Sequence, residues 1–153
     1  MPETDMRQFT RLMIVDDELT DIGFMIQFFE EALPDCQIET FTSAEEALAR
    51  LHFEGIDGDN PALADDPDVI ILDLKLGAMS GFDFLRRLRS DELTRHLPVV
   101  VISGDDTRAS VDKAYEAGAN AMFRKPDSLA GYRSMIGTIV AYWKTTARHH
   151  QAA

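Results

Sequence analysis

Hydrophobic and polar positions alternate along this chain in two periods, and the switches between them mark a series of short elements. Leu12-Met13-Ile14-Val15 is an apolar run that stops at Asp16-Asp17-Glu18, the pattern of a buried strand running into a loop. From Asp21 to Leu33, Ile22, Met25, Ile26 and Phe29 recur at three- and four-residue spacing, which predicts a helix. Pro34 ends it, because proline has no N–H to donate and its ring clashes with the preceding turn. Gln37 to Phe41 alternates as a half-exposed strand should, and Ser43 with Glu46 three residues later forms a capping box that opens a helix carrying Ala44, Ala47, Leu48 and Leu51.

The next apolar run is the one around which the others are arranged. Val69-Ile70-Ile71-Leu72, bracketed by Pro67 and Gly77, has no polar alternation and therefore reads as a strand buried on both faces. It ends on a carboxylate, Asp73. Phe82, Leu85 and Leu88 then line one face of a helix whose other face bears Arg86, Arg87 and Arg89, a basic run read as solvated. Leu97 to Ile102 is another buried strand, closing on Ser103-Gly104-Asp105-Asp106. A helix over Thr107 to Ala117 stops at Gly118, Ala119 to Arg124 is a short strand, Lys125-Pro126 is a sharp turn, and Leu129 to about Ala147 is the last helix. Five strand–helix alternations predict an α/β fold: a doubly wound parallel sheet with right-handed crossovers and helices on both faces.

Composition adds limits. A length of 153 residues fits a lead-in over 1–10, one domain over 11–147 and a tail over 148–153 that contains His149 and His150. The stretch 54–67, rich in Gly, Asp, Asn and Pro, reads as a long surface loop. A net charge of −12 makes nucleic acid a poor partner, since phosphate contacts need Lys and Arg. The single Cys36 forms no intrachain disulfide and fits a reducing compartment. No apolar run approaches a membrane span and the N-terminus lacks the apolar core of a signal peptide, so the expectation is a cytoplasmic protein with no membrane partner.

Candidate chemistry lies at one sheet edge. In a parallel sheet, Asp16-Asp17, Asp73, Ser103 and Lys125 all follow strand ends on the same side, where open α/β sheets collect ligands. Asp73 alone is as well explained as a turn-capping residue. Together, three carboxylates this close repel one another unless a cation sits among them. Mg²⁺ takes carboxylates, a carbonyl and waters and leaves room for phosphate oxygens, so carboxylates beside a lysine suggest phosphoryl transfer. Asp73 would be the nucleophile and phosphoacceptor, forming an acyl phosphate, with Lys125 and the Ser103 hydroxyl contacting phosphoryl oxygens.

The Asp16-Asp17 pair, Asp73 with Met79 and Gly81 downstream, Ser103 followed by a small residue, and Lys125-Pro126 resemble, in this order, the receiver domain of two-component response regulators over roughly Arg11 to Lys144. The resemblance implies a flavodoxin-like (βα)5 sheet in the order 2-1-3-4-5. It implies Mg²⁺ held by Asp17, Asp73 and the backbone carbonyl of Lys75, with Asp16 assisting through water, and a cis bond before Pro126. It further implies that Asp73 receives phosphate from a sensor histidine kinase and that Ser103 then moves toward the phosphoryl group. An aromatic residue three positions before the lysine would turn inward, which remodels the face made by the fourth helix, fifth strand and fifth helix. That switch position is Met122 here, a departure, as is Gly77 where proline is common. Lys75 and Asp105 flank the path of the hydrolytic water in such domains; either an ion pair between them shields the acyl phosphate, or they are two exposed charges that contribute about 0–1 kcal/mol if paired.

The apolar last helix, with Ile136, Ile139, Val140, Tyr142 and Trp143, either packs on the sheet or offers a homodimer or partner surface. The chain's length, the long loop and the tryptophan near its end are similar to stand-alone receivers serving phytochrome-type histidine kinases. The leading expectation is such a stand-alone regulator, which catalyses only its own phosphorylation and dephosphorylation and signals by protein contact. The alternative is a receiver-like adaptor that binds partners regardless of phosphorylation. An aspartate-based phosphatase fits less well, because Asp16 and Asp17 are adjacent rather than spaced as Asp-x-Asp, and a nucleotide-binding protein lacks its Gly-rich loop after the first strand.

Overall fold

The computed structural model describes residues 11–56 and 66–152. The lead-in 1–10, most of the loop expected over 54–67, and Ala153 lie outside the described residues. In chain order the elements are β1 (Arg11–Val15), α1 (Leu19–Ala32), β2 (Gln37–Phe41), α2 (Ala44–Ile56), β3 (Val69–Leu72), α3 (Gly81–Ser90), β4 (Val99–Ser103), α4 (Arg108–Ala117), β5 (Ala121–Arg124) and α5 (Leu129–Ala152). The five strands form one parallel sheet in the order β2-β1-β3-β4-β5, the flavodoxin-like arrangement expected.

Side chains alternate across this sheet, as the two-residue strand period requires. Leu12, Ile14, Val69, Ile71, Val100 and Ile102 face α1 and α5, where they meet Met25, Phe29, Ile136 and Trp143. Met13, Val15, Ile70, Leu72, Val99 and Val101 face the other way, onto Leu48, Phe84, Leu88 and Ala114 of α2, α3 and α4. Full burial of side chains such as Phe29 and Phe84 contributes about 1.5–3 kcal/mol each, and β3, buried at every position, sits in the middle of both layers.

Local signals set the helix ends. Ser80 and Thr107 cap α3 and α4 by accepting from the N–H groups of Asp83 and Ser110, and Ser43 accepts from Glu46 at the start of α2. Gly118 ends α4 with φ of 113°, a left-handed value that L side chains rarely adopt.

Several expectations shift. The second helix runs to Ile56, past Glu54 where the loop was expected to begin, and the last helix continues beyond Ala147 to Ala152. In α3 the buried aromatic is Phe84, while Phe82 is half-buried under the Lys113 ammonium, 4.2 Å above its ring. The basic run on α3 is not uniformly solvated. Arg89 turns back to donate to the carbonyls of Leu97, Arg95 and Gly118 and to Asn120 Oδ1, at 2.7–3.0 Å, tying the end of α3 to the end of α4. Burial of that guanidinium lowers its pKa from the usual value. Trp143 is buried in the α1–α5 layer, whereas the neighbouring Tyr142 is exposed.

Candidate functional site

Because β1, β3, β4 and β5 are parallel, their carboxyl ends share one edge, and the residue after β1, β3 and β5 is held there by one further ladder-like bond. Asp16 N–H donates to the Phe41 carbonyl (3.0 Å), Asp73 N–H to Val15 (2.9 Å) and Lys125 N–H to Ser103 (2.9 Å). The backbone of Asp16, Asp73 and Lys125 is therefore fixed by the sheet, and Ser103 is the last residue of β4.

The side chains converge. Carboxylate oxygens of Asp16, Asp17 and Asp73 all lie within 4.8 Å of one another, with Asp16 and Asp73 buried and Asp17 exposed. Asp16 Oδ1 accepts from the Glu18 N–H at 2.9 Å and Asp73 Oδ1 from the Lys75 N–H at 3.1 Å. Lys125 Nζ lies 2.9 Å from Asp73 Oδ2 and 3.2 Å from Asp16 Oδ2. Burial pushes the Asp16 carboxyl up to about 6, with the Asp73 charge adding to it, against lowering by the Glu18 N–H and by Lys125. Burial also works against the Lys125 ammonium, but the hydrogen bonds to Asp21 and Asp73 and the charges of Asp73 and Asp16 outweigh it and hold the group well above its ordinary pKa. An all-oxygen donor set of three acids around a shared point, with more negative charge than one ammonium offsets, fits a hard divalent cation such as Mg²⁺.

Ser103 is fully buried, and its Oγ accepts from the Asp105 N–H at 3.1 Å, which leaves the hydroxyl proton free to donate. Met122 is half-buried against the α2–α4 layer, one residue from Phe123, which packs on the opposite layer. Of the two readings of Lys75 and Asp105, the structure matches the one without an ion pair. Asp105 is instead spent on its own loop: Oδ2 accepts from Ser110 Oγ at 2.7 Å and Oδ1 from Thr107 N–H at 3.1 Å. These bonds, led by that from Ser110, hold its carboxyl below the usual range, and Lys75 contributes only a weaker electrostatic pull.

Gly81 follows from the same crowding. A Cβ there would stand 2.5 Å from the Asp73 carbonyl oxygen and 2.6 Å from Leu74 Cα, while the Gly81 N–H donates to the Leu74 carbonyl at 2.9 Å. The start of α3 is thus pressed onto the acceptor loop, and only glycine fits. Gly77 meets nothing within 4 Å, so the loop has open space where the resemblance led one to expect proline. The expected cis bond before Pro126 is corrected: the Lys125–Pro126 bond is trans. Trans is the intrinsically preferred X–Pro isomer, and with it Lys125 already reaches Asp73 and Asp16.

Two site residues were missed from sequence. Asp21 Oδ2 lies 2.7 Å from Lys125 Nζ, and Asp21 Oδ1 accepts from Tyr132 Oη at 3.1 Å. Burial, with the Asp21 charge, raises the Tyr132 phenol above its ordinary pKa. Asp21 reads from sequence as the start of a helix. The overlooked signal is positional: α1 begins right after the acidic pair, so an acid in its first turn stays at the same sheet edge.

Comparison with known proteins agrees with this geometry. The family described as "Response regulator receiver domain" matches residues 12–136. The chain belongs to that family, whose members are signalling proteins rather than metabolic enzymes. It is 30% identical over 127 residues to the two-component response regulator ARR8 of Arabidopsis thaliana, covering 78% of this chain and 56% of that protein, so it spans little more than half of that relative. It is 28% identical to the chemotaxis protein CheY-3 of Vibrio cholerae, covering 90% of this chain and 96% of the relative. Among solved structures, the phosphorylated cyanobacterial phytochrome response regulator RcpA superposes with a TM-score of 0.79 at 26% identity, over 90% of this chain and 95% of that one.

Proposed function

We propose that this chain is a stand-alone response regulator that accepts a phosphoryl group from a sensor histidine kinase on Asp73. The observation that carries the reading is the convergence of Asp16, Asp17 and Asp73 within 4.8 Å, with Lys125 Nζ at 2.9 Å from the acceptor carboxylate. An Asp73 oxygen attacks phosphorus, the O–P bond forms as the N–P bond of a phosphohistidine breaks, and the departing imidazole nitrogen retains the electron pair. The Lys75 N–H orients Asp73 Oδ1 for this step. Lys125, now bonded to Asp73 Oδ2, turns to the phosphoryl oxygens, and the free Ser103 proton donates to them. Mg²⁺, when bound by Asp17, Asp73 and the Lys75 carbonyl with Asp16 behind, supplies the positive charge that offsets carboxylate and phosphoryl repulsion.

Signalling would follow from the pull on Ser103 and Lys125, which lead into and out of the α4–β5–α5 side. Met122 would follow the serine in place of an aromatic ring, as its flexible thioether allows. On that side Tyr115, Met122, Phe123, Tyr142 and Trp143 line a groove of about 340 Å³, which we read as the downstream partner or homodimer surface. Among the described residues no helix is long and apolar enough to cross a membrane; the cytoplasmic location is part of this proposal and rests on membership of the receiver family. The likeness to a phytochrome response regulator supports a kinase of phytochrome type. The adaptor alternative is not favoured, because partner binding alone requires none of the acidic cluster, serine and lysine.

Transfer from an autophosphorylated phytochrome-type histidine kinase tests the partner directly: the kinase should lose label as the chain gains it, and Asp73→Asn should gain none. Equal labelling of wild type and Asp73→Asn would overturn the acceptor assignment, and no transfer from that kinase with transfer from another would overturn the phytochrome pairing.

A further inference from the structure

The closest partner of Lys125 is none of the three clustered acids. Its ammonium is 2.7 Å from Asp21, against 2.9 Å from Asp73 and 3.2 Å from Asp16. Asp21 stands outside the set of carboxylates that can share one ion, and its second oxygen is taken by Tyr132 Oη of α5 at 3.1 Å. Tyr132 is itself fixed: it is buried, and its ring lies 5.6 Å from that of Phe24 on α1. Asp21 is therefore clamped between the two helices packed on one layer of the sheet, with its free edge turned to the ammonium.

This arrangement solves a problem that the acidic cluster creates. A lysine whose partners were only Asp16 and Asp73 would compete, as a tethered cation, for the oxygens that a divalent ion needs. A lysine with no partner once the ion arrived would drift into solvent. We infer that Asp21 is a positioning residue for Lys125, held in place by Tyr132, which keeps the ammonium at the site edge so that it can release Asp16 and Asp73 and still meet the incoming phosphoryl group. This inference rests on the phosphoacceptor reading above and adds to it a residue pair that the acceptor chemistry alone does not call for.

Its effect on rate has a sign that separates it from simple charge. Removing a nearby negative charge without other consequence should speed the approach of an anionic phosphodonor. Removing a positioning group should slow transfer.

The test measures phosphorylation of the full chain by acetyl phosphate at saturating Mg²⁺. Asp21→Asn should lower the maximal rate by about tenfold with a smaller change in the half-saturating donor concentration. Asp21→Glu should restore part of it, and Tyr132→Phe, which alters no charge, should lower it by about two- to threefold. Asp21→Asn should add nothing to the loss caused by Lys125→Met. In the metal-free protein, the Lys125 ammonium should give a slowly exchanging proton–nitrogen NMR signal that broadens at least several-fold in Asp21→Asn. A faster or unchanged rate in Asp21→Asn, or an ammonium signal that does not change, overturns the inference, as does a purely additive double mutant. Should Asp21→Asn fail to fold, an unchanged rate in Tyr132→Phe overturns it instead. Absence of any adduct in wild type refutes the phosphoacceptor reading itself and is distinct from all of these.

Discussion

Asp16 and Asp73 directly follow the neighbouring strands β1 and β3, both almost wholly enclosed at 1% and 5% exposure, and share the ammonium of Lys125. Two like charges in a low-dielectric setting cost folding free energy, and Asp16 bears that cost, with its carboxyl pushed up to about 6 chiefly by burial. The folded protein thus binds a proton more tightly than the unfolded chain, whose aspartates titrate near pH 3.9.

The sign of the resulting pH dependence follows. Between about pH 4 and 6 Asp16 holds its proton more in the native state than in the unfolded one, so its contribution to stability falls as pH rises across that window. Above it the cost is fully present. In metal-free protein with chelator, Asp16→Asn should therefore be more stable than wild type at pH 7, by on the order of 1–3 kcal/mol. That gain should vanish by pH 4. Urea melts at both pH values check it, and a gain of equal size at pH 4 would point to packing rather than charge.

Gly81→Ala forces the start of α3 away from the Asp73 carbonyl, since both close neighbours of the added Cβ are backbone atoms that cannot rotate aside. The expected cost is about 1–3 kcal/mol, as for other overpacked sites. The added Cβ also presses on Leu74, next to Lys75, whose carbonyl is proposed to hold Mg²⁺, so Mg²⁺ binding should weaken too. Calorimetric titration with Mg²⁺ alongside a thermal melt reads both effects. Gly77→Ala, with nothing within 4 Å, should change neither much.

Arg89→Ala leaves the Gly118 and Leu97 carbonyls and Asn120 Oδ1 without the guanidinium that bridges them. Asn120 Oδ1 keeps the Val99 N–H at 2.8 Å, so the expected loss of about 2–4 kcal/mol comes from the partly buried Gly118 and Leu97 carbonyls and from the lost bridge between α3 and α4. Arg86→Ala, by contrast, gives up one exposed pair with Asp83 and should stay within about 0.5 kcal/mol of wild type. Denaturant melts of the two variants make the comparison.

The parts of this protein most legible in its sequence are those written in short-range patterns. Apolar runs at 12–15 and 69–72 read directly as strands because a strand buried on both faces needs no polar alternation, and the acids after them followed from parallel topology; the run at 97–102 marks β4 as well, but the strand is Val99–Ser103, which leaves Leu97 and Pro98 outside it and makes Ser103 its last residue. What escaped depends on contacts distant in sequence. Asp21 meets Tyr132 across 111 residues, and Arg89 meets Gly118 across 29, so neither spacing nor composition announces them. Phe82 and Phe84 both fit a helical stripe, and only packing against the sheet decides that Phe84 goes inside. Whether Lys75 and Asp105 pair is equally beyond the sequence, which leaves an ion pair and two separate charges open; the local Ser110 and Thr107 donors reach Asp105 first.

The central claim is that Asp73 is a Mg²⁺-dependent phosphoacceptor, and intact-mass analysis after incubation with acetyl phosphate tests it most directly. The account predicts one adduct of about 80 Da, present in wild type with Mg²⁺, and absent with chelator or in Asp73→Asn. A chain that stays unmodified under all conditions, or an adduct that persists in Asp73→Asn, would contradict it.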